Sequence, residues 1–184
     1  TNNHQFALEE QQRNAWIQQI EILKNELHNF DSGHIMFEYS IPRMGKRVDV
    51  ILIYAGIVFV IEFKVFAKEY LHTDIDQCLD YSLDLKNFQE GSHNIQLVPI
   101  LVSTEALNFD NSFEQFKDGI FTPLRANKNN LGDIIKKISE QFKADTIDAV
   151  KWENSLYKPT PTIIEAAQAL YQGHDVKEIS RSDS

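Results

Sequence analysis

The sequence predicts an α/β fold in which helices flank a central mixed sheet that contains an antiparallel hairpin. Apolar residues recur at helical spacing over about Phe6 to Leu27, which predicts a long first helix. Two strongly apolar, β-branched segments follow at 47–54 and 57–64, separated by two residues that can form a turn. A further helix and strand come after them. The order helix, three strands, helix, strand therefore predicts a layered α/β domain, which suits a chain of 184 residues.

The first helix and the first strand are both followed by residues that disfavour regular structure. The apolar positions of the helix are Trp16, Ile20, Leu23 and Leu27. Turn-forming residues at 31–33 are expected to end it. A strand is predicted over Ile35–Ile41, and Pro42 stops it because proline cannot donate to a strand ladder.

The hairpin carries charged residues at one end. If the residues at 55–56 form the turn, Asp49 lies opposite Glu62 and Arg47 lies opposite Lys64. Side chains alternate between the faces of a strand, so these four share one face, with opposed Cβ atoms about 4.5–5.5 Å apart. Two carboxylates held that close repel each other unless a cation lies between them or one is protonated. A divalent metal ion is the simplest explanation. The alternative is that Arg47 and Lys64 merely neutralise the two acids.

The rest of the hairpin is apolar on both faces. One face is expected to carry Val48, Val50, Leu52, Tyr54, Phe59, Ile61 and Phe63. The other is expected to carry Ile51, Ile53, Val58 and Val60. This pattern is typical of a sheet covered on both sides, where ionised carboxylates are costly unless they are paired or bind a metal.

Further elements are predicted after the hairpin. Thr73 or Asp74 is expected to cap a second helix that runs to about Phe88 or Gln89. A fourth strand is predicted over Ile95–Val102, a fifth over Gly119–Leu124 and a third helix over Leu131–Phe142. Residues 144–157 favour no assignment.

The end of the chain predicts a domain boundary. Lys158–Pro161 has the composition of a linker, and Thr162 is expected to cap a short helix over Ile163–Tyr171. We therefore expect one domain over 1–157, followed over 158–184 by the linker and the start of a following segment.

Charge and cysteine content limit the classes of function. The net charge of −9 argues against a general electrostatic grip on nucleic acid, although cations cluster locally at Arg43, Lys46, Arg47, Lys64 and Lys68. Cys78 is the single cysteine, and the six histidines show no metal-ligand spacing. The longest apolar run, Val50–Ile61, is too short to span a bilayer, and the polar start has no signal-peptide pattern. We expect a cytoplasmic protein without a membrane segment.

The charged residues of the hairpin resemble a known signature. Asp49, followed after the turn by Glu62, Phe63 and Lys64, resembles the D…(D/E)xK motif of the PD-(D/E)XK nuclease superfamily. Val48 occupies the place where that family often has a proline. The resemblance implies a restriction-endonuclease-like core of order αβββαβ, with a central mixed sheet flanked by helices.

A second motif lies on the predicted second helix. Gln77 and Tyr81 resemble the QxxxY motif that follows the third strand in some branches of the superfamily. A spacing of four puts both side chains on one helix face, which the resemblance orients toward the metal and the substrate backbone. The alternative is a solvated glutamine beside a core tyrosine with a polar tip.

A narrower resemblance covers most of the chain, from about Trp16 to Ser180. The matching segments are 37–42, 46–49, 62–64 and 159–171. They look like a bacterial group in which a nuclease-like module precedes an ATPase of the Schlafen-related helicase type. The resemblance implies an ATPase/helicase domain in the same or a partner chain. The sequence contains no GxxxxGK[ST] motif, so that motor is expected beyond Ser184.

The resemblance also implies a chemistry, metal-assisted hydrolysis of phosphodiester bonds. Asp49 and Glu62 would hold Mg²⁺, or Mn²⁺ as a substitute, together with the backbone carbonyl of Phe63. Lys64 would orient or deprotonate the attacking water, or stabilise charge in the transition state.

Other residues are expected to support this site or the substrate. Glu38 is expected to act as a further ligand through water or to pair with Arg47, and the alternative is an outward-facing glutamate of the first strand. Arg47, Gln77 and Tyr81 are expected to support substrate binding. A glutamate of the first helix is a ligand in many members. The available ones are Glu9, Glu10 and Glu21, with Gln12 near that position, and the sequence does not choose among them.

These observations predict a magnesium-dependent nuclease that acts on DNA, as a module of a larger ATPase/helicase protein in prokaryotic defence or repair. Pairing into a homodimer is expected from the resemblance. One alternative is a non-catalytic module that binds nucleic acid or a partner on a nuclease fold. Another is a structural fragment whose hairpin charges form only an ion-pair network.

Overall fold

The computed structural model describes residues 2–41 and 43–171, without the side chain of residue 169. The helices are α1 (Asn2–Leu27), α2 (His72–Phe88), α3 (Leu131–Phe142), α4 (Ala149–Glu153) and α5 (Pro161–Tyr171). The strands are β1 (His34–Ile41), β2 (Lys46–Tyr54), β3 (Ile57–Lys64), β4 (Gln96–Ser103) and β5 (Leu124–Ala126). The predicted order of helix, three strands, helix and strand is confirmed.

The five strands form one open sheet in the order β1-β2-β3-β4-β5. β1, β2 and β3 are antiparallel neighbours, whereas β4 and β5 run parallel to β3. The α/β class and the mixed sheet flanked by helices are therefore as predicted. Parallel neighbours need a long crossover connection, and α2 supplies it between β3 and β4.

The turn at Ala55 and Gly56 has the backbone conformation that the predicted pairing of the two hairpin strands requires. Ala55 and Gly56 both have positive φ, 55° and 74°, as a primed two-residue turn demands. Tyr54 then pairs with Ile57 and Val50 with Ile61, which is the predicted register. The unfavourable alanine is tolerated because neighbouring backbone secures it: the Ala55 carbonyl accepts a hydrogen bond from the Ala144 N–H at 2.9 Å.

Each face of the sheet has its own apolar core. The face covered by α1 and α3 buries Val50, Leu52, Ile57, Phe59, Ile61, Phe63, Val98, Ile100 and Val102. The face covered by α2, called the α2 face below, buries Ile51, Ile53, Val58, Val60 and Leu97 against Tyr81, Leu85 and Trp152. The prediction of a sheet covered on both sides is confirmed. A sheet buried on both faces explains why β2 and β3 are apolar at nearly every position.

The prediction was wrong for Val48, which belongs to the core of the α2 face and not to the face that carries Val50. The alternation breaks beside Asp49. On β1, Glu38 lies opposite Asp49 and has φ of 52°. The residues on either side of these two are paired in the ladder, but Glu38 and Asp49 themselves are not. A left-handed residue rotates the strand, so the side chains that follow it change face.

Several element boundaries differ from the prediction, three of them for identifiable reasons. The N-cap of α2 is Leu71, without a side-chain cap, because the Asp74 carboxylate is directed at Lys64. The fifth strand begins only at Leu124, since the earlier residues form isolated bridges. Helix α5 begins at Pro161, one residue before the expected Thr162 cap, because the fixed φ of proline suits the first helical position.

The segment after the predicted boundary is attached to the end of α2. The N–H groups of Lys158 and Thr160 donate hydrogen bonds to the carbonyls of Phe88 and Asn87 at 2.8 and 2.9 Å. The division at residue 158 stays a prediction. Residues 172–184 lie outside the described part of the chain.

Within the described residues, no helix combines the length and the apolar character that crossing a bilayer requires.

The turn at Gly56 yields a stability prediction with a matched control. A Cβ added at Gly56 would lie 2.5 Å from the Ala144 carbonyl oxygen, whereas at Gly45, also at positive φ, it would meet nothing within 4 Å. Gly45→Ala should cost on the order of 1 kcal/mol through backbone strain alone. Gly56→Ala should cost at least about 1 kcal/mol more, because backbone must move apart. Urea denaturation of both variants measures the difference, and equal costs would contradict the close approach.

Candidate active site at the end of the β2–β3 ladder

The two predicted acids lie side by side where the ladder between β2 and β3 ends. The last ladder pair is Val50 with Ile61. Beyond it, Glu62 Oε1 accepts a hydrogen bond from the Asp49 N–H at 2.7 Å, and Asp49 Oδ2 accepts one from the Phe63 N–H at 2.8 Å. Each carboxylate thus takes the place of a backbone carbonyl in the ladder. The reciprocal bonds hold both side chains in defined positions.

Burial and mutual repulsion make both acids harder to ionise. Glu62 is only 5 % exposed, and Asp49 is half-buried. Loss of solvation is the largest cause that raises the pKa of Glu62 to about 8, and the charge of Asp49 adds to it. The pKa of Asp49 is also raised, chiefly by burial, and the negative charge of Glu38 contributes. Without a cation, the pair therefore retains a proton near neutral pH.

Lys64 ends β3 on the same side as these acids. Its positive charge lowers the pKa of both Asp49 and Glu62, against the larger effect of burial. Its Nζ lies 3.6 Å from Asp74 Oδ1 on the first turn of α2, so the two side chains form a long ion pair beside the acids. Asp74 was considered only as a helix cap in the sequence. Its spacing of three and seven from Gln77 and Tyr81 indicates the same helix face.

Helix α2 brings Gln77 and Tyr81 to the acids. Tyr81 is buried, and burial raises its pKa to about 12, with contributions from the charges of Glu62 and Asp49. A hydrogen bond from Gln77 acts in the opposite direction, so the two side chains of the motif are in contact. Cys78 is buried on the same helix, and its thiol pKa is raised by burial first and by the charge of Glu62 second. The role of Gln77 and Tyr81 toward a metal or substrate stays a prediction.

Arg47 does not join the acids. Its side chain is exposed, β2 pairs it with Ser40 on β1, and the strand rotates between it and Asp49. Among the described residues, Asp49 and Glu62 form no ion pair with it. The expected sharing of one face by all four hairpin charges was therefore wrong for Arg47, whereas Lys64 still contributes positive charge beside the acids.

Glu38 lies near the acids without joining a ligand cluster. Its charge raises the pKa of both Asp49 and Glu62, yet its side chain is exposed. Within residues 2–41 and 43–171, no three His, Cys, Asp or Glu side chains converge as a metal-binding group. The first-helix candidates Glu9, Glu10, Gln12 and Glu21 are all exposed.

The donor set nevertheless fits a hard divalent cation. Asp49 and Glu62 supply carboxylate oxygens from neighbouring strands, and the Phe63 carbonyl points to the same side of β3 as its N–H, toward Asp49. Magnesium is commonly held by one or two carboxylates, with water and substrate phosphate completing its shell. A cation here would also relieve the repulsion that raises both pKa values.

The sequence analysis treated Ser103 only as a possible turn residue. It lies on β4 directly beside Lys64 in the parallel ladder, and its buried Oγ has no hydrogen-bond partner within the described chain. A buried hydroxyl usually has a partner. Its paired residue on β3 is Lys64, and no pattern in the sequence predicts that these two residues lie side by side.

A separate cleft of about 810 Å³ lies at the opposite end of the hairpin. It is lined by the end of α1, the turn at 54–56 and α3, and it includes none of the acids described above.

Comparisons of the chain with protein-family models, with curated proteins and with solved structures find no match.

The raised pKa of Glu62 predicts a pH-dependent stability. Between pH 4.5 and about 8 the folded state keeps a proton that the unfolded state has lost, so the free energy of unfolding falls as pH rises through this range. The slope from this group is at most about 1.4 kcal/mol per pH unit. Glu62→Gln should remove it and become progressively more stable than the wild type toward pH 8.

Denaturation in EDTA at several pH values measures this difference. Glu140→Gln, at an exposed position of α3, is the matched control and should follow the wild type. A constant difference between Glu62→Gln and wild type at all pH values would show that Glu62 is not the titrating group.

Proposed function

We propose that this domain is a metal-dependent nuclease that hydrolyses phosphodiester bonds, with DNA as its substrate and Mg²⁺ as its cofactor. We further propose that it serves as a module of a larger ATPase/helicase protein in prokaryotic defence or repair. The observation that carries the proposal is the reciprocal hydrogen bonding of Asp49 and Glu62 beside Lys64. The resemblance of these residues to the PD-(D/E)XK signature supports the same conclusion, as does the order αβββαβ.

The two acids are suited to ligand roles because their orientation is set before a cation arrives. One oxygen of each is held by a backbone N–H, and the second oxygen has no hydrogen-bond partner within the described part of the chain. A bound divalent cation would supply Lewis acidity toward a phosphate oxygen and would lower the pKa of a coordinated water. The pair then loses the proton that it retains in the free protein, so cation affinity should increase with pH.

Lys64 and the α2 residues have distinct roles in this proposal. Lys64 places an ammonium group beside the acids, where it orients the attacking water or stabilises negative charge on the phosphate. Asp74 limits where that group can lie. Gln77 and Tyr81 hold the substrate backbone from the opposite wall, through the amide and the phenol that face the acids.

Cleavage assays with Mg²⁺ or Mn²⁺ on single- and double-stranded DNA test the proposal. Asp49→Ala and Lys64→Ala should each lower the rate by about 100-fold or more, the usual cost of removing one electrostatic group from an active site. Lys136→Ala is the matched control, because Lys136 is an exposed lysine of α3 that lines the cleft at the opposite end of the hairpin from the acids. It should cleave like the wild type. Equal cleavage by wild type and the double variant Asp49→Ala/Lys64→Ala would identify a contaminating nuclease.

A non-catalytic binding module on the same fold is the second candidate. It is favoured because each carboxylate already accepts a hydrogen bond from a backbone N–H of the neighbouring strand, so the pair is held in place without a cation. Titration calorimetry with Mn²⁺ separates the two candidates. A catalytic site should bind the ion in the millimolar range or tighter and lose it in Glu62→Gln, whereas a binding module should retain nucleic-acid affinity in that variant and never cleave.

A further inference from the structure

An aromatic and cationic surface lies at the far end of α2 from Lys64. The rings of Phe88 and Tyr157 are stacked, with centroids 5.8 Å apart and planes 5° from parallel. The Arg43 guanidinium lies over the Phe88 ring, 4.0 Å from its centroid. Tyr157 is 54 % exposed, although a tyrosine that served only to fill a core would be covered. We call these three residues the stacking platform.

The platform is held in place by backbone contacts. The Glu90 N–H donates to the Leu156 carbonyl at 3.0 Å, and the Lys158 N–H donates to the Phe88 carbonyl at 2.8 Å, so the chain is bonded on both sides of Tyr157. Arg43 adopts φ of 69°, a conformation that costs on the order of 1 kcal/mol in a non-glycine residue. The arrangement is therefore rigid before any ligand binds.

The platform is continuous with the candidate active site. Tyr81, which faces the acids, lies seven residues before Phe88 on α2, or about 10 Å along the helix. Arg43 lies in the loop before β2, and the exposed Lys46 and Arg47 are the first two residues of β2, three and two positions before Asp49. Three cations thus lie on the segment 43–47, which joins the platform to the strand of Asp49, in a chain whose net charge is −9.

The chemistry of this surface fits unpaired nucleobases. Exposed aromatic rings bind bases by stacking, and arginine and lysine beside them bind the phosphates, which is how single-stranded nucleic acids are held without sequence preference. A base inside a duplex has no free face to offer. We propose that Tyr157, supported by Phe88 and Arg43, stacks on a base of a single-stranded nucleic acid whose backbone passes along the cationic segment toward Asp49 and Glu62. The direction of the bound strand, toward Asp49 and Glu62, rests on the proposed nuclease function, whereas the test of the stacking platform does not.

Fluorescence anisotropy in EDTA, where no cleavage occurs, tests the platform independently of catalysis. The probes are a fluorescein-labelled oligothymidylate, the same length of oligoribouridylate, a blunt DNA duplex and an abasic oligonucleotide. The wild type should bind the two single strands more tightly than the duplex and the abasic strand, which carries the phosphates without bases. The relative affinity for the two single strands distinguishes DNA from RNA as the source of the base.

Substitutions at Tyr157 separate stacking from bulk. Tyr157→Phe keeps the ring and should bind like the wild type, while Tyr157→Leu keeps much of the volume and should bind single strands roughly 5- to 150-fold more weakly. The abasic strand should not distinguish the two variants. Tyr171→Ala, at a 94 % exposed tyrosine of α5, is the control and should leave binding unchanged. Thermal unfolding of each variant checks that the fold is retained.

The results distinguish this inference from the proposed function. Equal single-strand binding by Tyr157→Phe and Tyr157→Leu would overturn the stacking platform, and so would preferred binding of the duplex or the absence of oligonucleotide binding. If Asp49→Ala abolished cleavage while Tyr157→Leu bound normally, the nuclease proposal would be supported and the stacking platform contradicted. If Tyr157→Leu lost binding but the wild type never cleaved with Mg²⁺ or Mn²⁺, the stacking platform would be supported and the nuclease proposal contradicted.

Discussion

The exchange of hydrogen bonds between Asp49 and Glu62 is the interaction on which the candidate site depends. At the end of the β2–β3 ladder, each carboxylate accepts the backbone N–H that a main-chain carbonyl would otherwise take. The backbone groups are satisfied in this way, but two acids are brought into a partly buried and mutually repulsive position. Burial and mutual repulsion disfavour ionisation of both carboxyl groups, and their pKa values are raised for this reason. A cation or a shared proton must compensate for the repulsion.

The surrounding architecture makes this arrangement possible. Antiparallel pairing of β2 with β3 places the two acids on adjacent strands, and parallel pairing of β3 with β4 requires the crossover that α2 provides. Because α2 begins beside Lys64 and packs on the same face, its first two turns border the acids. The left-handed residue Glu38 marks where β1 and β2 rotate together. Strain at that position, next to the acid pair, is consistent with a local geometry that the rest of the fold maintains.

Charge is distributed unevenly along the chain, and the net charge alone does not show this. The chain as a whole is acidic, yet the segment from Arg43 to Arg47 is cationic and begins at an exposed aromatic stack. Arg47 is significant here for a different reason from the one that its position in the hairpin suggested. It forms no ion pair with Asp49 among the described residues, and its exposed side chain belongs to the surface that we propose an anionic ligand follows.

The sequence by itself determined the order of the elements, the hairpin register and the proximity of Asp49 to Glu62, because strand pairing through a two-residue turn leaves little freedom. Helical spacing likewise determined that Gln77 and Tyr81 share a face. Only the tertiary structure decided the face of Val48 and the exclusion of Arg47, since both follow from a strand rotation that alternation cannot express. The contact of Asp74 with Lys64 and the stack of Phe88 on Tyr157 also required it. Both contacts join different elements, and the second joins residues that are far apart in the chain. Such contacts depend on how helices and loops pack and not on local residue patterns.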